Sequence, residues 1–159
     1  MGTALTIARH PLASLRYALG DRTAMQRGLV LDASRHLFTS PEVRKRFREA
    51  LRGFRPEAMV PPNDGTNGIS LVGNTTNTTL GLWLYCSVRA LRPSIMIETG
   101  VAHGTSSWII LNAMRENQHG TLYSLDLPNH DTHGDYNVQG AGAAPGWLVP
   151  DALRDRWQL

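Results

Sequence analysis

An acid and two glycines lie close together in the second half of the chain, between a short apolar run and a stretch with helical periodicity. The segment is Glu98-Thr-Gly100-Val-Ala-His-Gly104-Thr-Ser106. Glycine permits a tight turn and lets a ligand approach the backbone without a Cβ in the way. The hydroxyls of Thr105 and Ser106 lie beside N–H groups of the helix start, where an anionic group is favoured. The pattern predicts a ligand loop between a strand and a helix.

A second acid, Asp126, ends the next apolar run, Thr121-Leu-Tyr-Ser-Leu125. Ligands of open parallel sheets bind beyond the carboxyl ends of the strands, so this carboxylate is expected beside the glycine loop. A carboxylate in that position can accept hydrogen bonds from both ribose hydroxyls, and it repels a phosphorylated ribose. The spacing therefore favours a ligand with an unphosphorylated ribose.

Two common nucleotide-binding loops do not fit this segment. A dinucleotide loop has the pattern G-x-G-x-x-G, and here Ala102 and Thr105 occupy the second and third glycine positions. A P-loop requires Gly-Lys-Ser/Thr, which occurs nowhere in the chain. An NAD-binding or nucleotide-sugar-binding Rossmann protein is kept as an alternative, against which the missing glycines argue.

The ordered set of acid, glycines, helix and second acid resembles motifs I and II of the class I S-adenosylmethionine-dependent methyltransferases, over residues 79–126. The similarity is to a branch of that family that lacks the middle glycine and has a small hydroxyl residue after the last one. Residues 146–157 also resemble the segment that precedes the third strand in that branch. The resemblance implies S-adenosylmethionine as cofactor and a seven-stranded Rossmann-like sheet.

The resemblance also implies roles for individual residues. The loop of residues 100–104 would line the methionine part of the cofactor, and Glu98 would support that loop or bind the amino group through water. Asp126 would hold the ribose, and Leu127 would lie near the adenine. His103 would shape the loop or gate the substrate. The predicted cofactor-binding residues are Glu98, Thr99, Gly100, Val101, Ala102, His103, Gly104, Thr105, Ser106, Asp126 and Leu127.

Three helices are predicted in the first part of the chain. The first ends at Gly20, the second is capped by Asp21, and the third has Ser40 as its N-cap, Pro41 in its first turn and Gly53 at its end. The apolar residues at helical spacing in the first two are Leu12, Leu15, Leu19, Met25, Leu29 and Leu37.

The later elements alternate between helix and strand. Strand, helix and strand together have the size of one right-handed βαβ crossover. The first strand is apolar on both sides, which is typical of a parallel sheet covered on both faces. The predicted elements are a helix over 79–91 capped by Thr78 or Thr79, a strand over 94–98, a helix over 104–117 and a strand over 121–126.

The predicted fold class is α/β: the N-terminal portion of a Rossmann-like class I methyltransferase fold, with a helical N-terminal extension. The predicted parts are a helical lead-in over 1–60, a connector over 61–78 and a partial cofactor-binding domain over 79–159. No convincing strand is recognised after Asp126, so the fold is expected to be truncated after its second strand, with activity in doubt. A non-catalytic fragment or a helical interaction module is therefore a further alternative.

The polar stretch after Asp126 contains His130-Asp-Thr-His133-Gly-Asp135. Imidazole and carboxylate groups suit divalent metals, but no further Cys or His spacing completes a closed site, so no metal site is predicted. Loop shaping or substrate gating is the favoured role for His103, and a catalytic base is kept as the alternative because free histidine titrates near neutrality. No catalytic base can be named from the sequence, because the family's acceptor-side residues lie in later segments.

The charge and the cysteine content of the chain indicate which kinds of partner and which compartment to expect. The net charge of +3 comes mainly from arginine, and the cluster Arg44–Arg55 is interrupted by Glu49 and matches no nucleic-acid recognition motif. It is interpreted as a solvated helix face, and no nucleic-acid partner is expected. The single cysteine, Cys86, permits no internal disulfide and is interpreted as a packed apolar residue. With no apolar run long enough to span a bilayer and no secretory leader, a cytoplasmic protein is expected, acting on a small-molecule or sugar acceptor, with homo-oligomerisation left open.

Overall fold

The computed structural model describes residues 24–55, 75–102, 104–126 and 144–159. Within these ranges the chain forms four α-helices, one 3-10 helix and three strands. In chain order the elements are α1 (Ala24–Leu37), α2 (Pro41–Gly53), α3 (Thr75–Leu91), β1 (Ile95–Thr99), α4 (Thr105–Asn117), β2 (Thr121–Leu125), the 3-10 helix (Asp151–Arg156) and β3 (Trp157–Gln158).

The three strands form one parallel sheet in the order β1–β2–β3. In the register between β1 and β2, Ile95 lies opposite Thr121 and Thr99 lies opposite Leu125, so the two strands end at the same level. The α/β class is confirmed, and the strand order is compatible with part of a Rossmann-like sheet. The bounds of β1, α4 and β2 agree with the predicted bounds to within one residue.

The expectation that no strand follows Asp126 is wrong. Trp157 and Gln158 pair in parallel with Leu122 and Tyr123, so the sheet continues beyond its second strand. Two residues are too few to show the alternation of side chains from which a strand is recognised. Residues 151–156 form the 3-10 helix, so the segment expected to precede a third strand does precede one.

The start of α3 also differs from the prediction. The helix begins at Thr75, so the expected cap at Thr78 or Thr79 is wrong, and residues 75–78 of the expected connector are helical. Threonine and asparagine cost only a few tenths of a kcal/mol per residue in a helix, so a polar run does not prevent helix formation. The predicted first helix, the Asp21 cap and residues 61–74 of the connector lie outside the described residues.

The beginning of α2 is as predicted. Ser40 has an extended backbone, and its hydroxyl accepts a hydrogen bond from the N–H of Val43 at 3.4 Å. Pro41 occupies the first turn and Gly53 the last position. The basic surface of this helix is exposed at Lys45, Arg48 and Arg52, in agreement with a solvated face, whereas the Arg46 guanidinium donates to the Ala90 carbonyl at 2.9 Å.

The described helices pack against one another on one side of the sheet. Helix α3 packs against α1, α2 and α4, and α4 packs on β2 and on the 3-10 helix. An aromatic cluster of Phe38, Phe47 and Trp83 joins the first three helices, with ring centroids 5.2 to 5.7 Å apart. The largest side chains at the centre of the core are fully buried: Phe47, Leu82, Leu111, Met114 and Leu122.

The opposite side of the sheet is uncovered among the described residues. Ile95, Ile97 and Leu125 are each more than 60% exposed, and Tyr123 is 46% exposed. We refer to these four residues as the open face. The expectation that β1 is covered on both sides is therefore wrong for the part of the chain that the structure describes. None of the helices in the described ranges combines the length and apolar character that a bilayer span requires.

Candidate functional site

The backbone turns sharply where β1 ends. Gly100, Ala102 and Gly104 have φ angles of +77°, +47° and +90°, in the left-handed region that glycine adopts without penalty. The Gly100 N–H donates to the Leu125 carbonyl at 2.9 Å, and the Gly104 N–H donates to the Val101 carbonyl at 2.8 Å. We call the described residues 100–102 and 104 the glycine turn. Its shape requires left-handed backbone at three positions, and glycine occupies two of them.

Asp126 lies directly on the glycine turn. It follows the last residue of β2, and its Oδ2 atom accepts hydrogen bonds from the N–H groups of Val101 (3.2 Å) and Ala102 (2.9 Å). The sequence predicted that this carboxylate lies beside the loop, and the level ends of β1 and β2 bring the two together. The carboxylate therefore stabilises the turn, which is a role that the sequence did not indicate.

Glu98 is turned towards the start of α4. Its half-buried carboxylate accepts hydrogen bonds from the hydroxyls of Ser106 (2.5 Å), Ser107 (2.6 Å) and Ser124 (2.8 Å). Of the two predicted roles, support of the loop matches this arrangement, because the carboxylate ties the end of β1 to the first turn of α4. The hydroxyl of Ser106, predicted to face a ligand, is used by this carboxylate.

The hydrogen bonds continue from Glu98 to the third strand. The indole N–H of Trp157 donates to the Ser124 hydroxyl oxygen at 2.8 Å, and both side chains are buried. We call Glu98, Ser106, Ser107, Ser124 and Trp157 the serine network. Sequence reasoning missed Ser107, Ser124 and Trp157. A signal for Ser124 was present, because in a strand it lies on the same side as buried Leu122 and is a polar residue at a core position.

A second turn, Gly146–Val149, packs against the glycine turn. The Gly146 N–H donates to the Ala102 carbonyl at 2.8 Å. A Cβ at Gly104 would lie 2.8 Å from the Gly146 Cα and 2.9 Å from the Val149 Cγ2. Gly104 therefore permits the close approach of the two backbones.

Trp157 and Arg154 hold the Gly146–Val149 turn in place. A Cβ at Gly146 would lie only 2.1 Å from the Trp157 Cη2, so the indole ring rests directly on the backbone. The Arg154 guanidinium lies 5.0 Å from the centre of the same ring and donates to the carbonyls of Val149 and Gly146, each at 3.1 Å. Gly146, Arg154 and Trp157 thus form a wall behind the glycine turn.

Among the described residues, none covers the remaining side of the glycine turn. Thr99, Gly100 and Ala102 are exposed, and a Cβ built on Gly100 would have no atom within 4 Å outside its chain neighbours. Val101 is buried and anchors the turn. This exposed backbone, bordered by the Asp126 carboxylate, is the part of the site that a ligand can approach.

Two predicted site residues, His103 and Leu127, lie outside the described residues, as does the histidine-containing stretch 130–135. Thr105 is half-buried in the first turn of α4. In the described ranges no group of three or more His, Cys, Asp or Glu residues could hold a metal ion.

Two titratable groups with shifted pKa values lie side by side in α3. Burial raises the pKa of the Cys86 thiol to about 12, and the side chain is fully buried, as the sequence analysis expected of a packed apolar residue. Burial also raises the pKa of Tyr85, whose hydroxyl donates to Glu116 at 2.7 Å. A thiol held in its neutral form is a poor nucleophile, so Cys86 is a structural residue.

Comparison of the chain with models of protein families, with curated proteins and with solved structures finds no match. What the site can do therefore follows from its own geometry.

Proposed function

We propose that the glycine turn binds S-adenosylmethionine, and that the chain is the cofactor-binding part of a methyltransferase acting on a small-molecule or sugar acceptor. One observation supports this most strongly. The Asp126 carboxylate at the end of β2 lies 2.9 Å from the Ala102 N–H in the turn that follows β1. An acid and a glycine turn that meet at the carboxyl ends of adjacent parallel strands are typical of sites for ribose-containing ligands.

The open side of the turn fits the methionine part of such a cofactor. Gly100 has exposed backbone with no side chain in the way, so a ligand can lie directly on it. The carboxylate of Asp126 has two oxygens, and a carboxylate is the acceptor-only group that suits the two hydroxyl donors of a ribose. The first turn of α4 adds a partial positive charge that favours the ligand's carboxylate.

When bound, the cofactor would supply an electrophilic methyl group on a sulfonium. The protein would promote transfer of this group mainly by positioning the two reactants. In this chain Gly100, Ala102 and Asp126 would fix the cofactor. The serine network and the Gly146–Val149 turn lie behind the glycine turn and would keep its shape during the reaction.

Isothermal titration calorimetry of the full chain with S-adenosylhomocysteine tests the proposal. We expect micromolar binding by the wild type and at least about tenfold weaker binding by Asp126→Asn, since hydrogen bonds to charged groups contribute about 1.5–3 kcal/mol. The asparagine oxygen can still accept hydrogen bonds from Val101 and Ala102, so the turn is kept while the charge is lost. Asp155→Asn, at an exposed position of the 3-10 helix, is the matched control and should bind like the wild type.

NADH serves as the competing ligand in the same titration. Binding of NADH in place of S-adenosylhomocysteine would overturn the proposal in favour of a dinucleotide-binding Rossmann protein. Failure of a folded wild-type chain to bind either compound would also overturn it, and would favour a non-catalytic interaction module.

A further inference from the structure

We propose that Trp157 and Ser124 are positioning residues that hold the glycine turn in its ligand-binding shape, although neither lies on its open side. The inference concerns how the third strand controls the turn. Its consequence for cofactor affinity rests on the proposed function, whereas its consequence for the turn itself does not.

The direction of each hydrogen bond in the serine network is fixed by chemistry. An indole N–H can only donate, so the Ser124 oxygen accepts from Trp157. The single hydroxyl proton of Ser124 is then directed to the Glu98 carboxylate, 2.8 Å away. Three hydroxyl donors thus converge on one carboxylate, and the buried indole and hydroxyl both have their partners. Loss of either link would leave a buried polar group unpaired.

Glu98 connects these hydrogen bonds to the start of α4. Its two oxygens accept the hydroxyl protons of Ser106 and Ser107, which are in the first turn of that helix. Gly104 is the N-cap residue of α4, and its carbonyl accepts the first helical hydrogen bond, from Trp108 at 2.8 Å. Because Gly104 also ends the glycine turn, a shift of the helix start displaces the turn.

Trp157 also reaches the glycine turn by direct packing. Its ring lies against the Gly146 backbone, and the Gly146 N–H donates to the Ala102 carbonyl. Strand β3 is therefore linked to the turn by two routes. One runs through the hydrogen bonds of Ser124 and Glu98, and the other runs through the packing of Trp157 on Gly146. This double connection is the reason why a strand of only two residues can control the neighbouring loop.

Amide hydrogen exchange measured by NMR on the full chain tests the connection without any ligand. The variants Trp157→Phe and Ser124→Ala each break the indole–hydroxyl bond, the first keeping the aromatic ring and the second keeping the indole. We expect Trp157→Phe to accelerate exchange of the Val101 and Ala102 amides about fivefold, the effect of losing one hydrogen bond of about 1 kcal/mol. Ser124→Ala should accelerate it at least as much, because this variant also loses the hydrogen bond to Glu98. The double variant should show much less than the product of the two effects, because both changes remove the same bond.

Matched controls make the same chemical changes elsewhere. Trp83→Phe alters the aromatic cluster between the helices, and Ser94→Ala removes an exposed hydroxyl at the opposite end of the sheet. Neither should change exchange at Val101 or Ala102. Unchanged exchange in Trp157→Phe and Ser124→Ala would overturn the inference, and so would an equal acceleration throughout α3, which would indicate a general loss of stability.

Calorimetry of the same variants separates this inference from the proposed function. If the wild type binds S-adenosylhomocysteine, both variants should bind it about fivefold more weakly, and unchanged affinity would contradict control of the site by β3. If the wild type does not bind, the proposed function fails, while accelerated exchange at Val101 and Ala102 would still support the positioning role.

Discussion

Gly100 and Gly146 have nearly the same φ angle in very different surroundings. Their φ angles are +77° and +71°, in the region that residues with a Cβ rarely adopt. A Cβ on Gly100 would meet no atom within 4 Å, whereas a Cβ on Gly146 would overlap the Trp157 ring. The first glycine exposes backbone to a ligand, and the second allows a side chain to rest on the backbone.

We therefore expect substitution by alanine to have unequal effects at the two positions. Gly100→Ala should cost about 1 kcal/mol of unfolding free energy, from the left-handed backbone alone. Gly146→Ala should cost about 1–3 kcal/mol more, because the added methyl group forces the indole ring away. Urea denaturation of both variants measures the difference. Equal losses would contradict the close contact between Trp157 and Gly146.

Much of the site could be predicted from the types of single residues. The rest depends on how the strands align in the sheet. Gly100, Gly104 and Asp126 were found because glycine marks a turn and an acid marks a strand end, whatever the rest of the fold. The bond between Ser124 and Trp157 could not be found, because it depends on how β2 and β3 align. The hydrogen bonds that Asp126 accepts from two backbone N–H groups were also not predicted. The sequence can indicate which ligand a carboxylate would bind, but not which backbone groups donate to it.

At the scale of elements, β2 is a strand with one covered side and one open side. Leu122 is fully buried beneath α4, whereas Leu125 is 64% exposed on the open face. The two residues have the same side chain and lie in the same strand. The unfolding free energy that each leucine contributes therefore shows which side of the sheet is covered.

Substitution of the two leucines by alanine should separate these sides. Leu122→Ala is expected to cost about 2–5 kcal/mol, as is typical of buried leucines, because it removes packed methyl groups and leaves a cavity. Leu125→Ala should cost less than about 1 kcal/mol, because most of its side chain is already in water. Thermal unfolding followed by circular dichroism gives both values. A comparable loss for Leu125→Ala would mean that the open face is covered in solution.

The elements were predictable to different degrees for physical reasons. Helix α2 carries its own start and stop signals in Ser40, Pro41 and Gly53, and these act locally. Helix α3 begins earlier than predicted because threonine can belong either to a cap or to a first turn. Strand β3 is set by pairing with β2 and has no local signal of its own.

At the scale of the whole molecule, the helices and the sheet share one hydrophobic core among the described residues. The buried cluster runs from Phe47 in α2 through Cys86 in α3 and Met114 in α4 to Leu122 in β2. Because these side chains are in one continuous contact network, the core is expected to become exposed to solvent mainly in global openings of the fold.

Cys86 offers a direct measure of that opening. It is the single cysteine of the chain, it is fully buried at the centre of the shared core, and burial raises its pKa to about 12. A thiol reagent should therefore react with the folded protein only through transient openings, at least about a thousandfold more slowly than with the denatured chain. The rate should rise about tenfold per pH unit below pH about 8.5, because a thiol exposed by opening ionises normally.

Labelling with a chromogenic disulfide in native buffer and in denaturant measures both rates. Rapid labelling of the folded chain would contradict the burial of Cys86. The ratio of the two rates is the equilibrium constant for exposing the core. Labelling of Cys86 therefore measures the free energy of opening in the unaltered sequence, without any substitution.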